Sequence, residues 1–385
     1  MLYWDYAAAA PPYDEVVRTM EQIMQRIYAN PSSLHQAGAE AAEVIRRARE
    51  VCAAAMGASS PEVFFTSGAT ESNNLAIKGA ALQYKDRGRH LITTEIEHPS
   101  VYETCKQLQS LGWEVTFLRP GEDGKIDPAA VEAAVRKDTV LVSVMHVNNE
   151  TGAVQPVGEI GVRIKKANRL TLFHVDGVQG FGKLPVRLGN WQADLYSLSP
   201  HKLRGPRGAG ILYKREGVRL FPLLSGGSHE NGMRAGTENV PAIAASAKAI
   251  RLAEERRETF VRGVTPLRDR LIRFLEGVPE LTVNSRHDGA PHIVHFSYPG
   301  MSGEVFARKL EQLGMLVSTR SACSSRHAEP SRVLLAMDRS VPEALGGIRI
   351  SFGDTHTEAD VDKLIEAIAE AVHSLKSIQG GLNRS

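Results

Sequence analysis

The run Phe64-Phe65-Thr66-Ser67-Gly68-Ala69-Thr70-Glu71-Ser72-Asn73 reads as a strand, a small-residue turn and a helix start, with Thr70 in the N-cap position. A turn of this kind aims free N–H groups and the positive end of a helix dipole at one point, which makes it a seat for phosphate. Taken alone, it describes an ordinary capped helix equally well. Further polar groups fall at or just past the ends of other β-rich runs: His98, then Asn148-Asn149-Glu150, then Asp176 with Gln179, then Ser199, His201 and Lys202. Each by itself could be a loop polar residue. Together they would give one strand edge a phosphate seat, a carboxylate, an amine, two imidazoles and an amide. Cys323 is a separate candidate. Arg320, Arg326 and His327 surround it with positive charge that favours thiolate over thiol, which is the nucleophilic form. Cys52 and Cys105 lie in helical patterns beside Val51, Ala53 and Val101 and read as core packing.

The elements needed to position these groups follow from the hydrophobic pattern. Candidate strands span Glu62 to Phe65, His90 to Thr94, Glu114 to Leu118, Val140 to Val147, Thr171 to Val175, Asp194 to Leu198 and Gly210 to Tyr213. Helical patterns fall between most of them, near Thr70 to Gln83, Ser100 to Ser110, Pro128 to Val135 and Val157 to Ala167. Upstream, Val16, Val17, Met20, Ile23, Met24 and Ile27 have the spacing of one amphipathic helical face, and Gln36 to Met56 forms an Ala-rich helix that stops at Gly57. Alternation of this kind predicts an α/β fold with a mainly parallel sheet flanked by helices, whose ligands bind beyond the C-terminal strand ends. After Arg256 the rhythm changes to a long charged helix, a strand at His292 to Ser297, a helix near Glu304 to Gln312 and a last helix from Glu358 to Leu375. That pattern predicts a smaller α+β C-terminal domain. The expected division is a large domain over 13–260 and a small domain built from 1–12 and 261–385.

Composition narrows the function classes. The 385 residues carry 46 Lys plus Arg against 44 Asp plus Glu, a formal charge of +2, so no bulk field marks a direct nucleic-acid or membrane-surface binder. Three widely spaced cysteines cannot build a disulfide framework, and the 13 histidines form no zinc motif, so no metal is expected. No apolar run is long enough for a membrane span. The opening Met1-Leu2-Tyr3-Trp4-Asp5 lacks the charged and apolar regions of a secretory signal, which leads to the expectation of a cytoplasmic protein.

The joint motif set resembles the NifS/IscS-type cysteine desulfurases, pyridoxal-phosphate enzymes related to the class V aminotransferases. Its pieces are Ser67 to Asn73, Glu97-His98, Asn148 to Gly152, His174-Val175-Asp176 and Ser199 to Pro206, extended by Asn30 to His35, Arg234 to Thr237 and Ser321 to Ser324. They occur in order over about Tyr3 to Gly353. The resemblance implies a fold-type-I enzyme with pyridoxal 5'-phosphate as cofactor. Carried over residue by residue, Lys202 becomes the Schiff-base lysine and Asp176 the partner of the pyridine nitrogen. A carboxylate there keeps the ring protonated as an electron sink. His98 would stack on the ring and assist proton transfer, and Gln179 would hydrogen-bond the phenolic oxygen. Ala69, Thr70, Ser199 and His201 would hold the phosphate, while Thr237 would reach the phosphate of a neighbouring subunit, implying a homodimer. Asn149 and Arg349 would fix the substrate carboxylate, Arg349 by a two-pronged ion pair.

By the same resemblance, Cys323 is the sulfur-accepting nucleophile. The length from Cys323 to Glu329-Pro330-Ser331 is similar to the subgroup whose cysteine rides on a long loop to a second protein. The implied reaction converts L-cysteine to L-alanine and leaves a persulfide on Cys323 for an acceptor protein, either an iron–sulfur scaffold or a tRNA-thiolation enzyme. The alternative is another class V pyridoxal-phosphate enzyme, a selenocysteine lyase or an aminotransferase. Some positions depart from the family pattern. Ala9 and Ala10 replace the usual Thr, Pro200 a frequent Gly, Arg320 a small residue and Asp354 a commonly basic one. Pro200 could shift the lysine turn, and Arg320 could alter which acceptor docks.

Overall fold

The structure, a computed structural model, describes residues 1–319 and 329–382. In chain order it begins with β1 (Leu2–Tyr3), α1 (Asp14–Arg26), α2 (Gln36–Met56), β2 (Val63–Thr66), α3 (Ala69–Gln83), β3 (His90–Thr94), α4 (Pro99–Ser110) and β4 (Glu114–Leu118). The middle holds α5 (Pro128–Ala134), β5 (Thr139–Met145), α6 (Val157–Ala167), β6 (Leu172–Asp176), β7 (Leu195–Leu198), β8 (Gly210–Lys214) and α7 (Val240–Glu255). The last third contains α8 (Arg257–Glu276), β9 (Thr282–Val283), β10 (Ile293–Ser297), α9 (Gly303–Gln312) and β11 (Met315–Leu316). It ends with α10 (Arg332–Ala336), α11 (Val341–Leu345), β12 (Gly347–Ser351) and α12 (Glu358–Leu382).

Seven strands form the main sheet in the order β2-β8-β7-β6-β5-β3-β4. All neighbours from β7 to β4 pair in parallel, and β8 runs antiparallel to both β2 and β7. Strands β5 and β6 are buried along their whole lengths, as expected for a sheet covered on both faces. The register sets Met145, Asp176 and Ser197 level with one another, so the loops after β5, β6 and β7 leave from one edge. At the outer strand β2, the N–H of Phe65 donates to Glu230 (2.9 Å), whose carboxylate also pairs with Arg49 at 2.6 Å. A buried ion pair thus satisfies an edge that would otherwise be open.

A second apolar cluster gathers Trp4, Leu271, Phe296, Phe306, Ile350, Phe352 and Leu364 around the antiparallel sheet β12-β10-β9. Strand β1 pairs in parallel with β11, so the first residues of the chain belong with its last third. Helix α10 lies elsewhere, since Val333, Leu334, Ala336 and Met337 join the cluster around β5, β6 and α6.

Two local expectations differ from the structure. Gly68, with an extended φ of 165°, takes the N-cap of α3, and Thr70 is already inside the helix. The chain passes close to its neighbour where β2 ends: a Cβ on the facing Gly210 would sit 2.4 Å from Gly68 C, so position 210 needs glycine. Glu71 caps the turn by accepting from Ser67 N (2.9 Å). In α1, Val16 is buried, but Val17 and Met24 are exposed and fall off the face that packs on α7. No helix among the described residues is long and apolar enough to cross a membrane.

Candidate active site

A cavity of about 390 Å³ opens at the C-terminal edge of the main sheet. The turn after β2 contributes Gly68, Ala69 and Thr70; the segment after β3 contributes His98; Asn149 follows β5, and Asp176 with Gln179 closes β6. Ser199, His201 and Lys202 follow β7, and Arg349 reaches in from the middle of β12. Ten of the residues singled out from the sequence therefore share one cavity. Thr237 is exposed and is not among those lining it. Cys323, with Arg320, Arg326 and His327, lies outside the described residues.

Asp176 is buried. Its Oδ1 accepts from Val178 N (3.0 Å) and its Oδ2 from Asn73 Nδ2 (2.9 Å). Burial raises its pKa above the ordinary aspartate value, against the pull of those hydrogen bonds and of Lys202. The Lys202 ammonium donates to two carbonyls of the N-terminal segment, Ala7 O at 2.6 Å and Ala8 O at 2.7 Å. Ala7 O also accepts from Gln179 Nε2 (2.9 Å). His98 Nδ1 accepts from Ser100 N (3.1 Å), which directs the remaining ring nitrogen away from α4. Burial, reinforced by Lys202, Arg332 and Arg349, lowers the His98 pKa to about 4, so the imidazole is neutral at pH 7. His201 is lowered to about 4 by burial and by Lys202 and Arg207.

Arg349 is 1 % exposed. Its Nη1 donates to Asn149 O (2.7 Å) and its Nη2 to Asp5 Oδ1 (2.9 Å), while Nε has no partner among the described residues. Asp5 and Asn73 were not assigned a function from the sequence. Neither could be found by spacing, since Asp5 lies 344 residues from Arg349 and Asn73 lies 103 from Asp176.

The cavity fits a ligand that is anionic at one end and cationic at the other. At the anionic end, α3 begins at Ala69, so its first N–H groups precede any acceptor one turn back. A Cβ on Gly68 would meet nothing within 4 Å, leaving room beside those amides, and the buried His201 Nδ1 lacks a partner among the described residues. At the other end stands the buried Asp176 carboxylate. An aromatic phosphate with a protonatable ring nitrogen, such as pyridoxal phosphate, matches this set of groups.

Comparison with known proteins agrees. The family model Aminotransferase class-V matches residues 2–364. The chain is 41% identical over 379 residues to the cysteine desulfurase IscS of Dictyoglomus turgidum, covering 98% of this chain and 96% of that one. A solved NifS-like protein superposes with a TM-score of 0.91 at 37% identity over 97% of this chain and 99% of the other. The solved structure of SspA in complex with cysteine gives a TM-score of 0.80 at 35% identity, covering 91% and 99%. Sheet, strand-end cavity and family model together define a pyridoxal-phosphate-dependent enzyme of fold type I. The chain belongs to the class V aminotransferase family and, within it, to the cysteine desulfurases of the IscS/NifS type.

Proposed function

We propose that this cavity binds L-cysteine against pyridoxal phosphate, removes its sulfur as a persulfide on Cys323 and releases L-alanine. The observation that carries the reading is the meeting of one buried carboxylate, Asp176, and one amine, Lys202, in the cavity that Arg349 enters from the opposite side. When bound, the cofactor supplies an electron sink for negative charge at the substrate Cα.

In this reading, Ala69, Thr70, Ser199 and His201 hold the phosphate, and Asp176 keeps the ring nitrogen protonated. Gln179 donates to the phenolic oxygen, and Lys202 anchors the ring. Arg349, beside Asn149, orients the substrate through its carboxylate. Once substrate has displaced it, Lys202 is the base that takes the Cα proton. Neutral His98 covers the ring face and hands protons on. Cys323 thiolate then attacks the substrate sulfur. An S–S bond forms as the C–S bond breaks, and the bonding pair stays with carbon, which takes a proton to become the methyl group of alanine. No external oxidant is needed.

The sulfur then passes to an acceptor protein, an iron–sulfur scaffold or a tRNA-thiolation enzyme. A homodimer is supported by exposed apolar groups near the N-terminus, Val17, Met24, Tyr28 and Leu34, and by Thr237, which stands outside its own cavity and is free to serve a neighbour's. The division into a large domain over 13–260 and a small one from 1–12 and 261–385 is supported by the separate cluster around Trp4, with α10 on the large-domain side. The working compartment in this reading is the cytoplasm.

The deciding test is Cys323→Ala in the cofactor-loaded enzyme. Addition of cysteine should still change the visible spectrum, while alanine and protein persulfide fall to background. Release of alanine at the wild-type rate would replace this reading with a lyase or aminotransferase.

A further inference from the structure

Behind the cofactor cavity the Gln179 side chain meets a second buried group. Its amide nitrogen donates to Ala7 O (2.9 Å), and its Oε1 lies 3.2 Å from Nε2 of His292, which is 2 % exposed. An amide can be turned by 180° with little change in shape, exchanging donor for acceptor. Ala7 O, as an acceptor, demands nitrogen on its side and thereby leaves oxygen facing His292. The imidazole must then donate from Nε2. The other ring nitrogen, Nδ1, is buried and has no partner among the described residues, so a proton placed there would be an unsatisfied donor, and the Nε2 lone pair would confront that of Oε1. Burial and the positive groups Lys183, Arg349 and Arg268 keep the ring neutral, so it carries one proton only. The turned amide would lose the bond to Ala7 and bring two carbonyl oxygens together. With one amide N–H on Ala7, the second is left for the cavity that Gln179 lines.

We propose that His292 is a positioning residue that locks the Gln179 amide with its NH₂ group toward the cofactor, and so sets the acidity of the lysine-bound cofactor without touching it. The proposal rests on the reading of Gln179 as donor to the phenolic oxygen. A donor there stabilises negative charge on that oxygen and lowers the proton affinity of the adjoining imine nitrogen. An amide free to turn presents its oxygen part of the time and raises it.

The test is a pH titration of the visible absorption band of the cofactor-loaded enzyme, together with cofactor retention on dilution. His292→Leu should raise the titration midpoint by about one pH unit and weaken retention on the order of tenfold, the scale of one hydrogen bond to a charged group. His292→Gln places an N–H donor close to the Nε2 position and should restore both values. A merely structural role predicts no such rescue. Gln179→Leu separates the two levels of the argument. If it shifts the midpoint and His292→Leu does not, the positioning role is wrong and the Gln179 reading stands. If Gln179→Leu shifts nothing, the reading of Gln179 itself fails. Should His292→Leu not fold, ¹⁵N-histidine spectra of wild type against His292→Gln decide, because a protonated Nδ1 overturns the proposal and a protonated Nε2 supports it.

Discussion

Asp176→Asn isolates the charge at the end of β6 while leaving its shape. The carboxylate accepts two hydrogen bonds, from Val178 N and from Asn73 Nδ2. In the variant one oxygen becomes an NH₂ group and cannot accept. Asn73 Oδ1 has no partner among the described residues, so the Asn73 amide can turn and take the new donor, its bond from Nδ2 to Ser100 Oγ (2.8 Å) being exchanged for one that the hydroxyl donates. The fold should therefore lose only about 1 kcal/mol, the size of one exchanged hydrogen bond. The loss toward the ring nitrogen is larger. A unit charge pair at about 4 Å is worth about 4 kcal/mol at the effective dielectric of a protein site. The amide returns about 1 kcal/mol as a neutral hydrogen bond, leaving about 3 kcal/mol, or roughly a hundredfold in rate. Exchange of the Cα proton of L-alanine with D₂O, followed by NMR on the cofactor-loaded enzyme, reads that step without Cys323 or C–S cleavage. The variant should hold cofactor and exchange about a hundredfold more slowly. Exchange within threefold of wild type, with cofactor bound, would refute the role of Asp176 as the group that keeps the ring protonated.

Arg349→Lys keeps the charge and loses the planar fork that reaches Asn149 O and Asp5, so KM for cysteine should rise about 10- to 100-fold while cofactor titration is unchanged; unaltered KM would place the carboxylate elsewhere. A third prediction concerns acid. Burial lowers His98, His146 and His201 to about 4, His174 and His295 to about 3, and His292 well below the ordinary value, so between pH 6.5 and 4 these six imidazoles are protonated when unfolded and neutral when folded. Unfolding then takes up protons, and stability is lost as pH falls through that window. Glu97, raised to about 8, opposes this by one proton. Calorimetry at pH 5.5 in buffers of different ionisation enthalpy should find an uptake of about four to five protons, and zero uptake would contradict the buried neutral imidazoles.

The strand-end groups were legible because β5, β6 and β7 are short apolar runs whose ends are marked by the first polar residues after them. The parallel register then carries those residues to one edge. Helix α7 was not read as an element, although Asn239 caps it by accepting from Ala242 N. It is buried nearly all round, with Val240, Ile243, Ala247, Ile250 and Ala253 in one core and Ala245, Ala249 and Leu252 in another. A helix without a polar face gives no amphipathic period to detect. Other features depend on partners that spacing cannot reveal. The two-residue strands β1 and β11 exist only by pairing with each other, and the Ala7 and Ala8 carbonyls meet Lys202 across about half the chain. The Thr70 hydroxyl suggests a cap, but the helix already begins at Ala69 with Gly68 as its N-cap, and Glu71 rather than Thr70 holds the turn by accepting from Ser67 N.

The adjacent pair Glu97-His98 acquires a physical reason from the same packing. Glu97 is buried, and Asp176 is close enough to raise its pKa further, to about 8. Two carboxylates in one dry region do not ionise together without large cost, so the environment divides them into one acid and one anion. Glu97 receives two donors on Oε1, from Thr94 Oγ1 at 2.8 Å and Met145 N at 2.9 Å, and its Oε2 has no partner among the described residues. Asp176 receives a donor on each oxygen and faces Lys202, so the negative charge settles there. A neutral Glu97 adds no second anion next to His98 in the chain, and His98 stays neutral because of its burial, reinforced by Lys202, Arg332 and Arg349. Among the described residues the cavity thus holds one fully buried anion, at the position assigned to the ring nitrogen, the half-buried Glu71 being paired with Arg234, while the cations Lys202 and Arg349 line the side assigned to substrate. An amino acid entering by its carboxylate meets Arg349 without a competing negative charge from Glu97, and the polarity of the site follows from which of two buried carboxyls keeps its proton.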